Sequence, residues 1–165
     1  MTSAETIDLL LQSAAKVAAG THRVDTKEKL RNKIAELVPK GATVFCPKST
    51  ELEKTVAAHL TGLVPDYLSA QVTVEEVSAA IAENGSIVCT SAGGKAVQAS
   101  LIPPHHIALV PKEKIFATLD DFFGAQTASP PTNMTIITGP SRTADIELNL
   151  VIGVHGPEKL DIIVL

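Results

Sequence analysis

Five short runs of apolar and β-branched residues constrain this chain more than anything else in it: TVFC at 43–46, SIVCT at 86–90, IALV at 107–110, MTIIT at 134–138 and DIIVL at 161–165. They are close to continuously apolar instead of alternating, so each reads as a strand buried on both faces. Helical patterns separate them. Buried strands alternating with helices predict an α/β domain of three layers, α/β/α, around a mainly parallel sheet. SIVCT and IALV lie too close for a full helical crossover, so at least one antiparallel pairing is expected and the sheet is partly mixed.

The helices are read from spacing and caps. Ile7, Leu10, Leu11, Ala14, Ala15, Val17 and Ala18 recur at helical intervals, predicting an amphipathic helix within residues 1–20. Asp25 with Glu28 resembles a capping pair before Leu30, Ile34 and Leu37, and Ser49 can cap a third helix carrying Leu52, Val56, Ala57 and Leu60. Thr73 and Glu76 have capping-box spacing ahead of Val77, Ala80 and Ile81, predicting a helix that Asn84-Gly85 ends. Leu119, Phe122 and Phe123 fit a short helix, and GAQTASPPTN at 124–133 is an exposed loop. With 165 residues, 45% of them hydrophobic, the chain is expected to form one domain spanning 1–165.

Charge narrows the partners. A formal net charge of -4, with no cluster of Lys and Arg, argues against nucleic acid, whose backbone requires a concentrated basic face. No apolar stretch approaches the roughly 20 residues of a membrane span, and the first segment is acidic where a signal peptide would be basic, so a cytoplasmic protein is expected. Cys46 and Cys89 stand far apart in strand-like runs and are expected to be reduced core residues, not cluster ligands.

The residues able to do chemistry concentrate near the C-terminus. GPSRTADIE at 139–147 follows the strand MTIIT, which puts it at the carboxyl edge where open α/β sheets bind ligands. Gly139 frees the backbone, Ser141 and Thr143 offer hydroxyls, and Arg142 can fork onto a carboxylate or phosphate, with Asp145 and Glu147 tying the Arg down or binding ligand hydroxyls. The same residues also fit a capped helix N-terminus with an acidic first turn, which needs no ligand. His155, within GVHGP at 153–157, is placed to act as acid, base or hydrogen-bond donor, or is pinned structurally in a tight turn. Glu83, at the AENGS turn of residues 82–86, is a candidate nucleophile or base, against the alternative of a solvated turn residue.

Gly93 and Gly94 in SAGG permit close ligand approach, although the loop matches no phosphate-binding spacing. His105 and His106 are adjacent in an extended segment and point to opposite faces, so at most one faces a cleft, and no metal site is expected.

Together AENGS, LIPPHHI at 101–107, GPSRTADIE and GVHGP resemble, in order and distance, the motifs of the LUD-domain lactate utilisation protein C family (LutC type). In that alignment His106 is the family histidine. The resemblance runs from about Val72 to the C-terminus and more loosely back to GATVFCPKS. It implies a fold similar to the sugar-phosphate isomerase, 5-formyltetrahydrofolate cyclo-ligase and CoA-transferase superfamily. It also implies a part in oxidising L-lactate to pyruvate, beside partner proteins that carry iron–sulfur clusters, with no cofactor in this chain. Family members usually have a longer N-terminal part, on which partner contacts could depend.

Three functions follow as expectations. The leading one is a non-redox, ligand-binding or accessory subunit whose cleft, lined by Ser141, Arg142, Thr143, Asp145 and His155, takes a small anionic metabolite. The second is an enzyme acting on a CoA thioester or phosphorylated metabolite through Glu83, since Glu-Asn-Gly also resembles the turn around the nucleophilic glutamate of class I CoA transferases. The third is a small-molecule sensor or structural subunit.

Overall fold

The computed structural model describes residues 3–126, 129–144, 150–152 and 156–165. Five strands form one fully parallel sheet: β1 (Gly20–Arg23), β2 (Val44–Phe45), β3 (Val72–Glu76), β6 (His105–Val110) and β11 (Lys159–Val164), in the order β1-β11-β6-β3-β2. A second sheet has the order β7-β4-β5-β8, from β4 (Ala79–Ile81), β5 (Ser86–Thr90), β7 (Ile115–Phe116) and β8 (Met134–Ile137). It is mixed: β5 runs antiparallel to β4 and β8, and β4 parallel to β7. The strands β9 (Arg142–Ala144) and β10 (Leu150–Ile152) pair antiparallel as a separate ribbon.

The α/β class and the mainly parallel sheet agree with the sequence. SIVCT and MTIIT, however, leave the parallel sheet and build the smaller one, because the short connection from β5 to β6 is spanned by two 3-10 turns that carry the chain between sheets instead of across one. A larger correction concerns the segment that Thr73 and Glu76 open and Asn84-Gly85 ends, expected to be helical. Most of it lies in β3 and β4, with β3 buried along its whole length between β6 and β2 of the parallel sheet. Burial on both faces and the β-branched Val72, Thr73 and Val74 outweigh the capping-box spacing of Thr73 and Glu76.

Alternation along the central strands assigns the two faces of the parallel sheet. Ile107, Leu109, Ile163, Val72 and Val74 pack against Leu30 and Ile34 of α2 (Lys27–Leu37) and Val56 of α3 (Glu51–Ala57). Ala108, Val110, Leu160, Ile162 and Val164 face the other way, onto Ile7, Leu10 and Ala14 of α1 (Ala4–Lys16) and onto Ala80, Ile87 and Cys89 of the second sheet. The far side of that sheet is closed by Phe122 of α4 (Leu119–Gly124). The four α-helices of the described residues begin at a hydroxyl cap, Ser3, Thr26, Thr50 and Thr118, each accepting the N–H three residues on. Thr26 and Thr50, one residue beyond the expected Asp25 and Ser49, are the caps; Thr50 completes a capping box with Glu53.

Candidate functional site

The turn after β8 forms one wall of an open pocket of about 500 Å³, which also receives Lys16, Val17, Leu101, Gly156 and Pro157. Gly139 sits at φ +75, and a Cβ there would lie 2.3 Å from the Val17 carbonyl oxygen, so only glycine lets the turn pass α1 this closely. The Ser141 N–H donates to the Pro157 carbonyl at 2.8 Å, joining this turn to the segment that leads into β11. Arg142 then opens β9 with its side chain exposed, where Lys16 supplies a second cation. Lys16 occupies the last turn of α1 and offsets that helix's own negative end, so Arg142 carries most of the charge left for a ligand.

Gly139, Ser141 and Arg142 are thus brought together. Thr143 continues β9 in register with Val151, and the segment is a strand where a helix N-terminus had been the alternative. Asp145, Glu147 and His155 lie outside the described residues. The pocket's position corrects the expected one: β8 belongs to the mixed sheet, and Gly156 and Pro157 precede β11, so the pocket lies toward the amino end of the parallel sheet.

The other candidates are dispersed. Glu83 is exposed on the β4–β5 turn and its carboxylate accepts the Leu119 N–H at 2.7 Å, helping to cap α4. Gly93 and Gly94 are exposed in the 3-10 turn after β5, both at positive φ, with open space around them. His105 and His106 do point to opposite faces, but both are buried. His105 Nε2 donates to Asp161 Oδ2 at 2.7 Å, while His106 is fully enclosed beside Glu75, Nε2 to Oε1 3.1 Å. Neither histidine lines the Arg142 pocket. Cys46 and Cys89 are buried and unpaired with each other, and burial pushes the Cys46 thiol up to about 11.

Two buried polar clusters had no counterpart in the sequence reading. At the carboxyl edge of the parallel sheet, Glu53 is fully buried and accepts from Lys95 Nζ (2.7 Å), the Glu76 N–H (2.9 Å), the Ser49 N–H and hydroxyl (both 2.7 Å) and the Thr50 N–H (3.1 Å). Burial opposes its ionisation, but these donors prevail and hold its pKa below the ordinary value. Lys114 binds the neighbouring Glu76 carboxylate at 2.6 Å. On the α2 face Asp161 joins His22 (2.8 Å) and His105 (2.7 Å), with Lys159 3.2 Å away. The capping-box pattern Thr50-x-x-Glu53 was the available signal for the first cluster.

The LUD domain family model matches residues 61–165, which takes in the β8–β9 turn and the whole second sheet. The chain belongs to the LUD domain family. Among its relatives is the lactate utilization protein C of Macrococcus caseolyticus, 38% identical over 108 residues, covering 62% of this chain and 46% of that protein. The protein of the same name from Halalkalibacterium halodurans is 37% identical over 91 residues, covering 52% and 40%. The matched part of this LUD-domain chain thus spans less than half the length of these relatives. A DUF162 family protein from Deinococcus radiodurans, 24% identical, shares the fold with a TM-score of 0.74 over 98% of this chain and 96% of its own. Among the described residues no helix is long and apolar enough to cross a membrane.

Proposed function

We propose that this LUD-domain protein is a cytoplasmic, non-redox subunit of a system that oxidises L-lactate to pyruvate, and that the Arg142 pocket binds a small anionic metabolite of that system. The observation that carries the reading is the convergence of Arg142 and Lys16 on one pocket with the glycine turn at Gly139, neither cation being ion-paired among the described residues. A planar guanidinium beside a backbone turn suits a carboxylate or phosphate. The relatives named lactate utilization protein C support the lactate context. Thr143, Asp145, Glu147 and His155 complete the ligand's surroundings in this reading, and iron–sulfur partner proteins carry the electrons.

Titration calorimetry of the purified chain with L-lactate, pyruvate and phosphate tests the proposal, with Arg142→Ala in parallel. Binding of at least one anion that is lost in a folded Arg142→Ala is expected. Equal binding by both proteins, or none by the wild type, overturns the anion-site reading.

A further inference from the structure

Glu75, Cys89 and His106 come from β3, β5 and β6 and meet inside the core, between the parallel sheet and the mixed one. Their donor atoms all lie within 4.8 Å of one another. Glu75 Oε1 is 3.1 Å from His106 Nε2 and 4.0 Å from Cys89 Sγ. A tetrahedral ion with bonds near 2.0–2.3 Å holds its donors about 3.3–3.8 Å apart, so only small adjustments separate this arrangement from a coordination shell.

The hydrogen bonding is what sets the cluster apart from an ordinary buried network. Among the described residues neither ring nitrogen of His106 has a hydrogen-bond partner, although the residue is fully buried, and its approach to Glu75 lacks hydrogen-bond geometry. The Thr73 hydroxyl, opposite His106 in the strand register, is likewise buried without a partner. Ser100 donates its hydroxyl to Glu75 from the 3-10 turn that covers the cluster. Buried polar atoms are nearly always satisfied, so an unpartnered imidazole beside a thiol and a carboxylate points to a missing partner that accepts the lone pair of one ring nitrogen.

We propose that Glu75, Cys89 and His106 form a buried structural site for a divalent transition-metal ion of the zinc class. One carboxylate and one thiolate neutralise a divalent charge and the imidazole stays neutral, which is the condition for keeping an ion in an apolar core. Sulfur and nitrogen donors select zinc-like ions over magnesium or calcium. Binding exchanges the Cys89 thiol proton, released to solvent, for a sulfur–metal bond. Burial raises the Cys89 pKa, so without the ion the thiol keeps its proton. Ser100 bonds the Glu75 carboxylate, and Thr73 lies in register with His106 on the neighbouring strand. The ion would clasp the two sheets together, and none of its ligands lines the Arg142 pocket, so this inference stands apart from the proposed function.

The test is to unfold the full chain, remove metal with chelator, and refold it with zinc or with cobalt(II), followed by dialysis and elemental analysis. About one zinc per chain is expected for the wild type and for Cys46→Ala, falling to roughly a tenth in Cys89→Ala and His106→Ala, with a higher melting temperature for zinc-refolded than for metal-free wild type. Cobalt-refolded wild type should show a thiolate-to-cobalt charge-transfer band that Cys46→Ala retains. A wild type that regains native far-ultraviolet circular dichroism yet holds no stoichiometric zinc and shows no such band overturns the proposal, whether or not the variants fold.

Discussion

Lys95 reaches from the turn after β5 to Glu53 in α3, Nζ to Oε1 2.7 Å, and both side chains are largely out of water, 12% and 0% exposed. The same ammonium also donates to the Glu76 carbonyl at 2.7 Å, so a single cation ties together the turn, the helix and the end of β3. Glu53 keeps four other hydrogen bonds if Lys95 is removed, whereas a Gln at position 53 must turn an NH₂ toward groups that are themselves donors. Glu53→Gln is therefore expected to be the more damaging change, about 3–5 kcal/mol, against about 1–3 kcal/mol for Lys95→Met. Urea denaturation of both variants checks the order, and equal losses would mean that the neighbouring backbone donors contribute little.

Asp161 gives stability a definite acid limb. Burial opposes its charge, but hydrogen bonds from His105 and His22 and the charge of Lys159 outweigh it and hold the carboxyl well below its usual range. A carboxyl depressed in the folded state contributes stability above its unfolded pKa of about 3.9 and loses it as pH falls through the folded value. Unfolding free energy should therefore decline progressively below about pH 4, and Asp161→Asn should lie roughly 3 kcal/mol below wild type at neutral pH, with the gap closing in acid. The groups facing Asp161 are His22 from β1, His105 from β6 and Lys159 from its own strand. Denaturation curves across pH 2–7 would show the two proteins converging; parallel curves would remove Asp161 as the cause.

Gly20 explains how that carboxylate fits. A Cβ at Gly20 would lie 2.0 Å from Asp161 Oδ1, so any side chain there displaces the carboxylate from His22. Gly20→Ala should cost about 1–3 kcal/mol by overpacking. It should also weaken the acid limb expected of the wild type, a second readout that a merely loosened strand would leave unchanged.

What could be read in the sequence was local. The four helices declared themselves through 3.6-residue spacing within one segment, although the caps read at Asp25 and Ser49 fall one residue before the actual Thr26 and Thr50, and GPSRTADIE stood out because its polar residues are contiguous. β3 was misread because Thr73 and Glu76 mimic a capping box, and only the sheet on both sides of it decides otherwise. β1 was missed because an edge strand with partly buried Thr21 and His22 has no apolar run to announce it. The pairs Lys95–Glu53 and His106–Glu75 join residues from different elements, so no spacing rule could expose them. The pocket was placed on the wrong edge for the same reason: which sheet β8 joins is a property of the whole fold.

Gly139→Ala tests whether the pocket depends on the close passage of the turn over α1. The substitution meets both a φ of +75 and the Val17 carbonyl at 2.3 Å, so the turn or the helix end must move. A stability loss of roughly 2–3 kcal/mol is expected from strain and overpacking combined. Anion affinity should fall with it, because the displaced turn carries Ser141 and Arg142 away from Lys16. Unchanged affinity in a destabilised variant would separate the turn geometry from ligand binding.

Arg142→Lys separates charge from shape at the proposed anion site. Both side chains are cationic, and an exposed lysine at the start of β9 would still face the pocket with Lys16. A guanidinium offers two parallel N–H donors to one carboxylate or phosphate, while an ammonium acts as a point charge, so Lys should recover only part of the affinity. Loss of one fork-type, charge-assisted bond is worth about 1.5–3 kcal/mol, or roughly 10- to 150-fold in Kd. Because position 142 is exposed and no described residue pairs with it, the melting temperature should stay within a degree or two of wild type, as for surface substitutions generally. Full affinity in Arg142→Lys would mean that the pocket senses charge alone, and that the order of groups in GPSRTADIE serves the β8–β9 turn and not the ligand.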